Sequence, residues 1–322
     1  MNTNVAIIGS TGRSASAWTD AFVAAGYAVR SLVRHPRLLP NRPGIRYRRL
    51  DLDDPSTYQP ALEDIDTLAL VTPADPRQPE WEIGLINAAR NTSVRRIIKL
   101  SVIGADFIFP LSPFARWHAE IEDALRTSRI THVILRPNFF MQNLLMQKDV
   151  IESGIYMEPI GTASISFVDV RDIADIAVIA ASGALDDQAL TLTGPEKLSG
   201  DEVAAFLSKA TGTAIHFVSP DISEFRATLL SRGMPEWHVA ALAELYSLVQ
   251  NRHGAYLGST TSSIEEVTGQ SPRTLEEFVN SAFRLRRSGR GSFDWQVARR
   301  FFHQFLGDRL DRDARWPVGF KL

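Results

Sequence analysis

Three observations predict a doubly wound α/β fold, a parallel sheet with a smaller helix-rich C-terminal lobe. An apolar run at residues 4–8 feeds a glycine-punctuated turn, Gly9-Ser10-Thr11-Gly12-Arg13-Ser14-Ala15. Short β-branched runs then alternate with helical periods through the first half of the chain, and from Ser199 onward helical periods dominate. Strand–helix alternation at this pitch builds parallel βαβ units, because a parallel crossover needs an intervening helix.

The first strand spans 5–8, and the turn after it has the Rossmann-type nucleotide pattern. Gly9 permits a tight turn, and Gly12 lets bare backbone approach a pyrophosphate. Ala15 stands where a third glycine would serve helix-to-strand packing, and it is small enough for that. The phosphates would rest on the free N–H groups of a helix over 14–25, whose Trp18, Phe22 and Ala25 share one face. Thr11, Arg13 and Ser14 complete the loop as cofactor-facing positions. A lone glycine pattern is weak; the strand before it and the helix after it give it weight.

Further strands are expected at 28–33, 45–50, 67–71, 96–101 and 132–136, with helices at 56–62, 78–91 and 113–128. Short right-handed connections make 3-2-1-4-5-6 the economical strand order. After Arg136-Pro137 the rhythm breaks at the apolar patch Phe139-Phe140-Met141 and Leu144-Leu145-Met146. Residues 165–168 read as a strand returning to the sheet, 170–182 as its helix and 190–193 as one more strand. Helices at 200–211, 222–232, 235–249 and 273–285 then form a lobe that closes over the nucleotide site. The parts interleave: 1–136 with 163–193 as the nucleotide-binding domain, 137–162 with 194–288 as the substrate lobe. Residues 289–322 form an extension in which Trp295, Ala298, Phe301, Phe302, Phe305 and Leu306 recur at helical spacing. It reads as a helix docked on its own chain, with a homodimer contact or a flap over the cleft as the alternatives.

Composition narrows the function. The 322 residues carry a net charge of −2, so no basic field recruits nucleic acid or a membrane. Cysteine is absent, which removes disulfides, thiolate nucleophiles and cysteine-based zinc sites. The seven histidines are scattered without metal-ligand spacing. The chain enters its first strand at once and has no run of ~20 apolar residues, so a cytoplasmic protein is expected.

Four strand ends carry the cofactor reading. Val33-Arg34-His35-Pro36 closes the second strand, where an acid would hold a ribose 2′-hydroxyl and an arginine would accommodate a 2′-phosphate. No Asp or Glu occurs between Ala28 and Pro43, so Arg34, with Arg13 from the other side, points to NADPH. Asp51 and Leu52 follow the third strand as an acceptor and an apolar face for adenine, although Asp51 also reads as a helix cap before Asp54-Pro55. Thr72-Pro73 ends the fourth strand beside the nicotinamide ribose. Ser101 ends the fifth strand, followed by the helix with Phe114, His118 and Glu122. Asp169 and Asp172 read as helix-opening carboxylates.

Taken with Leu135-Arg136-Pro137-Asn138-Phe139-Phe140 and Phe167-Val168-Asp169-Val170-Arg171-Asp172-Ile173-Ala174, these stretches resemble the NmrA-like group of atypical short-chain dehydrogenases. The resemblance runs from Val5 to about Arg286 and leaves out the extension. It implies an NADPH-dependent reductase of quinones, azo dyes or triphenylmethane dyes, or a redox-sensing regulator. A third reading is a cyclase or isomerase of secondary metabolism. The Tyr-x-x-x-Lys pair of ordinary short-chain dehydrogenases would fall at Phe114 and His118, and phenylalanine has no proton to give. His118, with a pKa near neutrality, is then expected to hold the nicotinamide ribose or relay a proton. Ser101 either binds substrate or finishes its strand. Asn138 and Phe139 are expected at the nicotinamide, and Phe114, Phe140 and Met141 around a flat aromatic acceptor; inter-lobe core is the alternative.

Overall fold

The computed structural model describes residues 4–10, 12–107, 112–251 and 254–283. Thr11 and the extension 289–322 lie outside the described residues, as does the side chain of Arg13. The first half forms β1 (Asn4–Ile8), α1 (Arg13–Ala24), β2 (Ala28–Val33), β3 (Ile45–Arg49), α2 (Tyr58–Leu62) and β4 (Thr67–Leu70). It continues with α3 (Gln78–Ala89), β5 (Arg96–Leu100), α4 (Pro113–Thr127) and β6 (Thr131–Pro137). After β7 (Phe139–Phe140) and a 3-10 segment (Met141–Gln147) come α5 (Lys148–Glu152), β8 (Ile155–Met157), β9 (Ser164–Val168) and α6 (Val170–Ala181). Then follow β10 (Ala189–Leu192), β11 (Lys197–Ser199), α7 (Gly200–Thr211), β12 (His216–Val218) and α8 (Ile222–Ser231). The last described elements are α9 (Glu236–Gln250), α10 (Gly254–Leu257), α11 (Ser263–Thr268) and α12 (Leu275–Phe283).

The main sheet has the order β3-β2-β1-β4-β5-β6-β10 and is parallel throughout. The first six strands take the order expected from short right-handed crossovers. Period-two alternation divides their side chains between two cores. Val5, Ile7, Ala69, Ile98 and Val133 face α1 and α6, whereas Ala6, Ile8, Leu68, Leu70, Ile97 and Ile134 face the layer of α2, α3 and α4. Burial on both faces explains why these strands read as continuous apolar runs.

One expectation fails. Residues 164–168 do not return to the main sheet; β9 pairs with β7 in parallel and with β11 antiparallel, and β10 takes the edge beside β6. The reason lies in the side chains of β9. Ile165 and Phe167 enter a separate core with Met141, Tyr156, Leu198, Val203, Leu207, Tyr246 and Phe278, while Val168 reaches the core beneath α6. Gly194 makes the junction possible: its N–H donates to the Phe167 carbonyl at 2.7 Å, and a Cβ there would lie 2.2 Å from that oxygen.

Because the main strands are parallel, their C-terminal ends converge on one edge. Gly9, Arg34, Asp51, Thr72, Ser101 and Asn138 all follow strand ends there. From β1 the chain runs outward through β2 to β3 and then crosses back to β4 on the other side of β1, and this reversal opens a crevice at the strand ends.

Candidate active site

The crevice begins at Gly9, whose φ of +64° is a left-handed conformation that favours glycine. Its N–H donates to the Leu32 carbonyl at 3.1 Å and its carbonyl accepts from Gly12 at 2.7 Å, closing the turn. Gly12 caps α1 with ordinary extended dihedrals, none of the described side chains caps the helix, and its first turn holds no acid. The leading amides of a 12-residue helix are thus left to a ligand, and an anion is the species they suit. Ser14 is buried in the first turn, and Ala15 packs into the core under the loop. This terminus fits a dinucleotide's phosphates.

Arg34 stands at the tip of β2 as expected, but acids do reach it. Its Nε lies 3.3 Å from Asp51 Oδ1, and Nη2 lies 3.3 Å from Asp53 Oδ2. A reading confined to 28–43 misses them because they come from the next strand: Val33 is in register with Arg49, two residues before Asp51. Arg77 also engages Asp53, at 2.6 Å. Asp51 is no helix cap; Asp54 does that work, accepting from the Ser56 N–H at 3.2 Å. Leu52 is half-buried against the core, and its carbonyl accepts from the Tyr58 hydroxyl at 2.7 Å.

Behind Thr72 lies a charge pair the sequence reading missed. Lys99 on β5 and Glu82 on α3 are both fully buried, with Nζ 2.8 Å from Glu82 Oε2. The Thr72 hydroxyl donates to Glu82 Oε1, which also accepts from Gln78 Nε2 at 3.0 Å. Pro73 follows in an exposed loop. His118 is buried as well, and its Nδ1 has no partner among the described residues. Burial, and then the Lys99 charge, push its pKa well below the ordinary 6.5. The imidazole is therefore neutral at physiological pH, which corrects the expectation of a pKa near neutrality.

Ser101 is also committed elsewhere. Its hydroxyl donates to Glu122 Oε1 at 2.6 Å, and Glu122 further accepts from Arg136 Nη2 and Arg126 Nη2, each at 2.6 Å. Despite burial, the hydrogen bonds from Arg136 and Ser101 hold the Glu122 carboxyl below its usual range. The Ser101 hydroxyl proton is thus engaged with Glu122.

At the far end, the patch after β6 splits between cores. Phe140 packs against the core of the main sheet, Met141 is buried in the second core, and Phe139 sits at the rim of that core beside Tyr246. Met141 is 1% exposed within that core. Asn138 Nδ2 donates to Ser166 Oγ and the Leu257 carbonyl, both at 2.6 Å, while its buried Oδ1 has no partner among the described residues. Asp169 caps α6 through the Arg171 N–H at 2.9 Å, a structural role as read. Phe114 is half-buried, 5.5 Å from the Trp117 ring and 5.9 Å from His238 on α9. His238, Leu242 and Tyr246 recur every four residues on α9, where His238 meets Phe114 and Leu242 and Tyr246 pack on the second core. That spacing was legible in the sequence, but its partner was not. No membrane-spanning helix and no cluster of metal-ligating side chains occurs among the described residues.

Comparison with known proteins agrees with this geometry. Residues 1–279 match the sequence profile of the NmrA-like family. An NAD(P)H azoreductase from Xenophilus azovorans is 34% identical over 282 residues, covering 86% of this chain and 97% of that protein. The NADPH complex of a quinone oxidoreductase from Escherichia coli superposes with a TM-score of 0.76 at 24% identity, over 87% of this chain and 99% of that one. A triphenylmethane reductase from Citrobacter gives 0.75 at 20% identity, with 87% and 99% coverage.

Proposed function

The chain belongs to the NmrA-like family, and we propose that it is an NADPH-dependent reductase that transfers hydride to an aromatic or conjugated acceptor such as a quinone or azo compound. The observation that carries this reading is the α1 N-terminus behind Gly9 and Gly12, which no described side chain caps, with Arg34 at the neighbouring strand tip. The similarity to an azoreductase over nearly that protein's whole length supports it.

NADPH, when bound, supplies the hydride. The chain's own residues bind, orient and exclude water. The α1 amides would hold the pyrophosphate, and Arg34 the 2′-phosphate. Arg34's ion pairs with Asp51 and Asp53 lie at the surface, with Asp51 half-buried, and surface pairs are worth about 0–1 kcal/mol. A guanidinium–phosphate bond is worth roughly 1.5–3 kcal/mol, enough to displace them. Leu52 and Asp51 would meet the adenine. His118, neutral and with Nδ1 unpartnered, suits a hydrogen bond to the nicotinamide ribose rather than proton delivery. Asn138, Phe139, Phe140 and Phe114 would border the acceptor, which needs placement against the ring more than a strong acid.

The test is NADPH consumption on a panel of quinones and azo dyes, run beside NADPH titration of the protein. Turnover on one of these classes is expected. Tight NADPH binding with no turnover on any acceptor would overturn the reductase reading in favour of a cofactor-sensing regulator.

A further inference from the structure

Two half-exposed tryptophans meet where α4 lies against α9. The ring centroids of Trp117 and Trp237 are 5.9 Å apart. Trp117 also packs edge-on against Phe114 at 5.5 Å, and Trp237 stacks on His238 at 4.8 Å. An ion pair between Arg116 and Glu244, at 2.8 Å, ties the two helices together beside them. Tryptophan is enriched where a protein surface is covered by another segment, because its large apolar ring carries one polar tip.

The same surface is acidic. The α9 helix carries Glu236 and Glu244 and neither lysine nor arginine. Glu236 precedes Trp237, and Glu120 stands one turn from Trp117 on α4. Both acids are exposed, and neither has an ion-pair partner among the described residues.

One segment of the chain has the complementary composition. Residues 284–322, outside the described residues, hold ten Lys and Arg against four Asp, whereas residues 1–283 hold 25 Lys and Arg against 33 Asp and Glu. Arg299 and Arg300 fall between the aromatic positions Trp295 and Phe302. The segment follows α12, whose Val279 and Phe283 share the second core with Leu242 and Tyr246 of α9. Residues 284–294 can span at most about 36–40 Å, and a domain of this size has a radius of gyration of about 19 Å, so the α4–α9 surface is within reach.

We propose that residues 295–306 dock on the Trp117–Trp237 surface of their own chain, with Trp295, Phe302 and Phe305 against the two indoles and Arg299 and Arg300 toward Glu120 and Glu236. Each aromatic side chain so covered takes its apolar area out of water, and a guanidinium over an indole face adds a cation–π attraction. A short tether holds the segment at about millimolar concentration near its own surface, which favours that surface over a second copy.

Because the chain has no cysteine, a single pair can be placed in the full-length protein. Ala240→Cys, exposed and one turn beyond Trp237, is combined with Gln304→Cys, beside Phe305. In the control pair Arg95→Cys, exposed just before β5 and so at the opposite end of the strands, replaces Ala240→Cys. Under mild oxidation the Ala240 pair should close an internal disulfide at least about ten-fold faster than the Arg95 pair, with the mass of one chain. Glu120→Lys together with Glu236→Lys, both at exposed positions, should slow that closure about five-fold or more, as two surface ion pairs allow. Equal rates for the two cysteine pairs, or an unchanged rate after the charge reversal, overturn the proposal. A disulfide that joins two chains also overturns it and places the segment on a second copy.

Discussion

Lys99→Met tests the buried charge pair behind Thr72. Methionine keeps most of the lysine's length and loses its ammonium. Glu82 is then left fully buried, with the Thr72 hydroxyl and Gln78 Nε2 as its neutral donors. Breaking a buried pair by removing one partner costs about 3–5 kcal/mol, because the other charge is stranded. The two surviving donors place this case near the lower end, at about 3 kcal/mol. At ~2–4 °C per kcal/mol, the value for domains of 150–250 residues, Tm should fall by roughly 6–12 °C. Thermal unfolding followed by circular dichroism, with urea unfolding at fixed temperature, measures both quantities. Adding Glu82→Gln should recover about 1–2 kcal/mol by removing the stranded charge. A single variant within about 1 kcal/mol of native would show that the pair does not carry this energy. So would a double variant less stable than the single one.

Three further outcomes follow from the site. Burial lowers the His238 pKa to about 4 from 6.5, so its stability contribution is present above pH 6.5 and lost as pH falls toward 4. The loss is about 3 kcal/mol at 1.36 kcal/mol per pH unit; an equal acid loss in His238→Gln would refute it. Gly9→Ala forces a side chain into φ +64° and should cost about 1–2 kcal/mol and weaken NADPH binding; unchanged melting would show that the turn relaxes freely. Phe114→Ala should raise the acceptor KM through lost contacts with Trp117 and His238, with kcat changed only a few-fold. A hundred-fold fall in kcat would give Phe114 a weight comparable to a proton donor's.

Much of the main sheet was legible because its signals are local. Val5–Ile8 and the Gly9 turn identify themselves within a dozen residues, and strand order follows from short crossovers. Partnership between distant segments was not legible. The acids on Arg34 come from one strand away, and β9 leaves the sheet because Ile165 and Phe167 face a core assembled from residues 141–283. Lys99 and Glu82 each read as ordinary charged residues until α3 and β5 bury them together. Periodicity tells which face a residue occupies, not what will stand opposite.

The most direct measurement is calorimetric titration of the native chain and Arg34→Ala with NADPH and NADH under identical salt. Native protein should bind NADPH at least about ten-fold more tightly, as expected of a charge-assisted bond to the 2′-phosphate. Arg34→Ala should bring the two affinities close together by weakening NADPH alone. Equal affinities in the native protein, or a preference that survives the loss of Arg34, would contradict an NADPH site built on this strand tip.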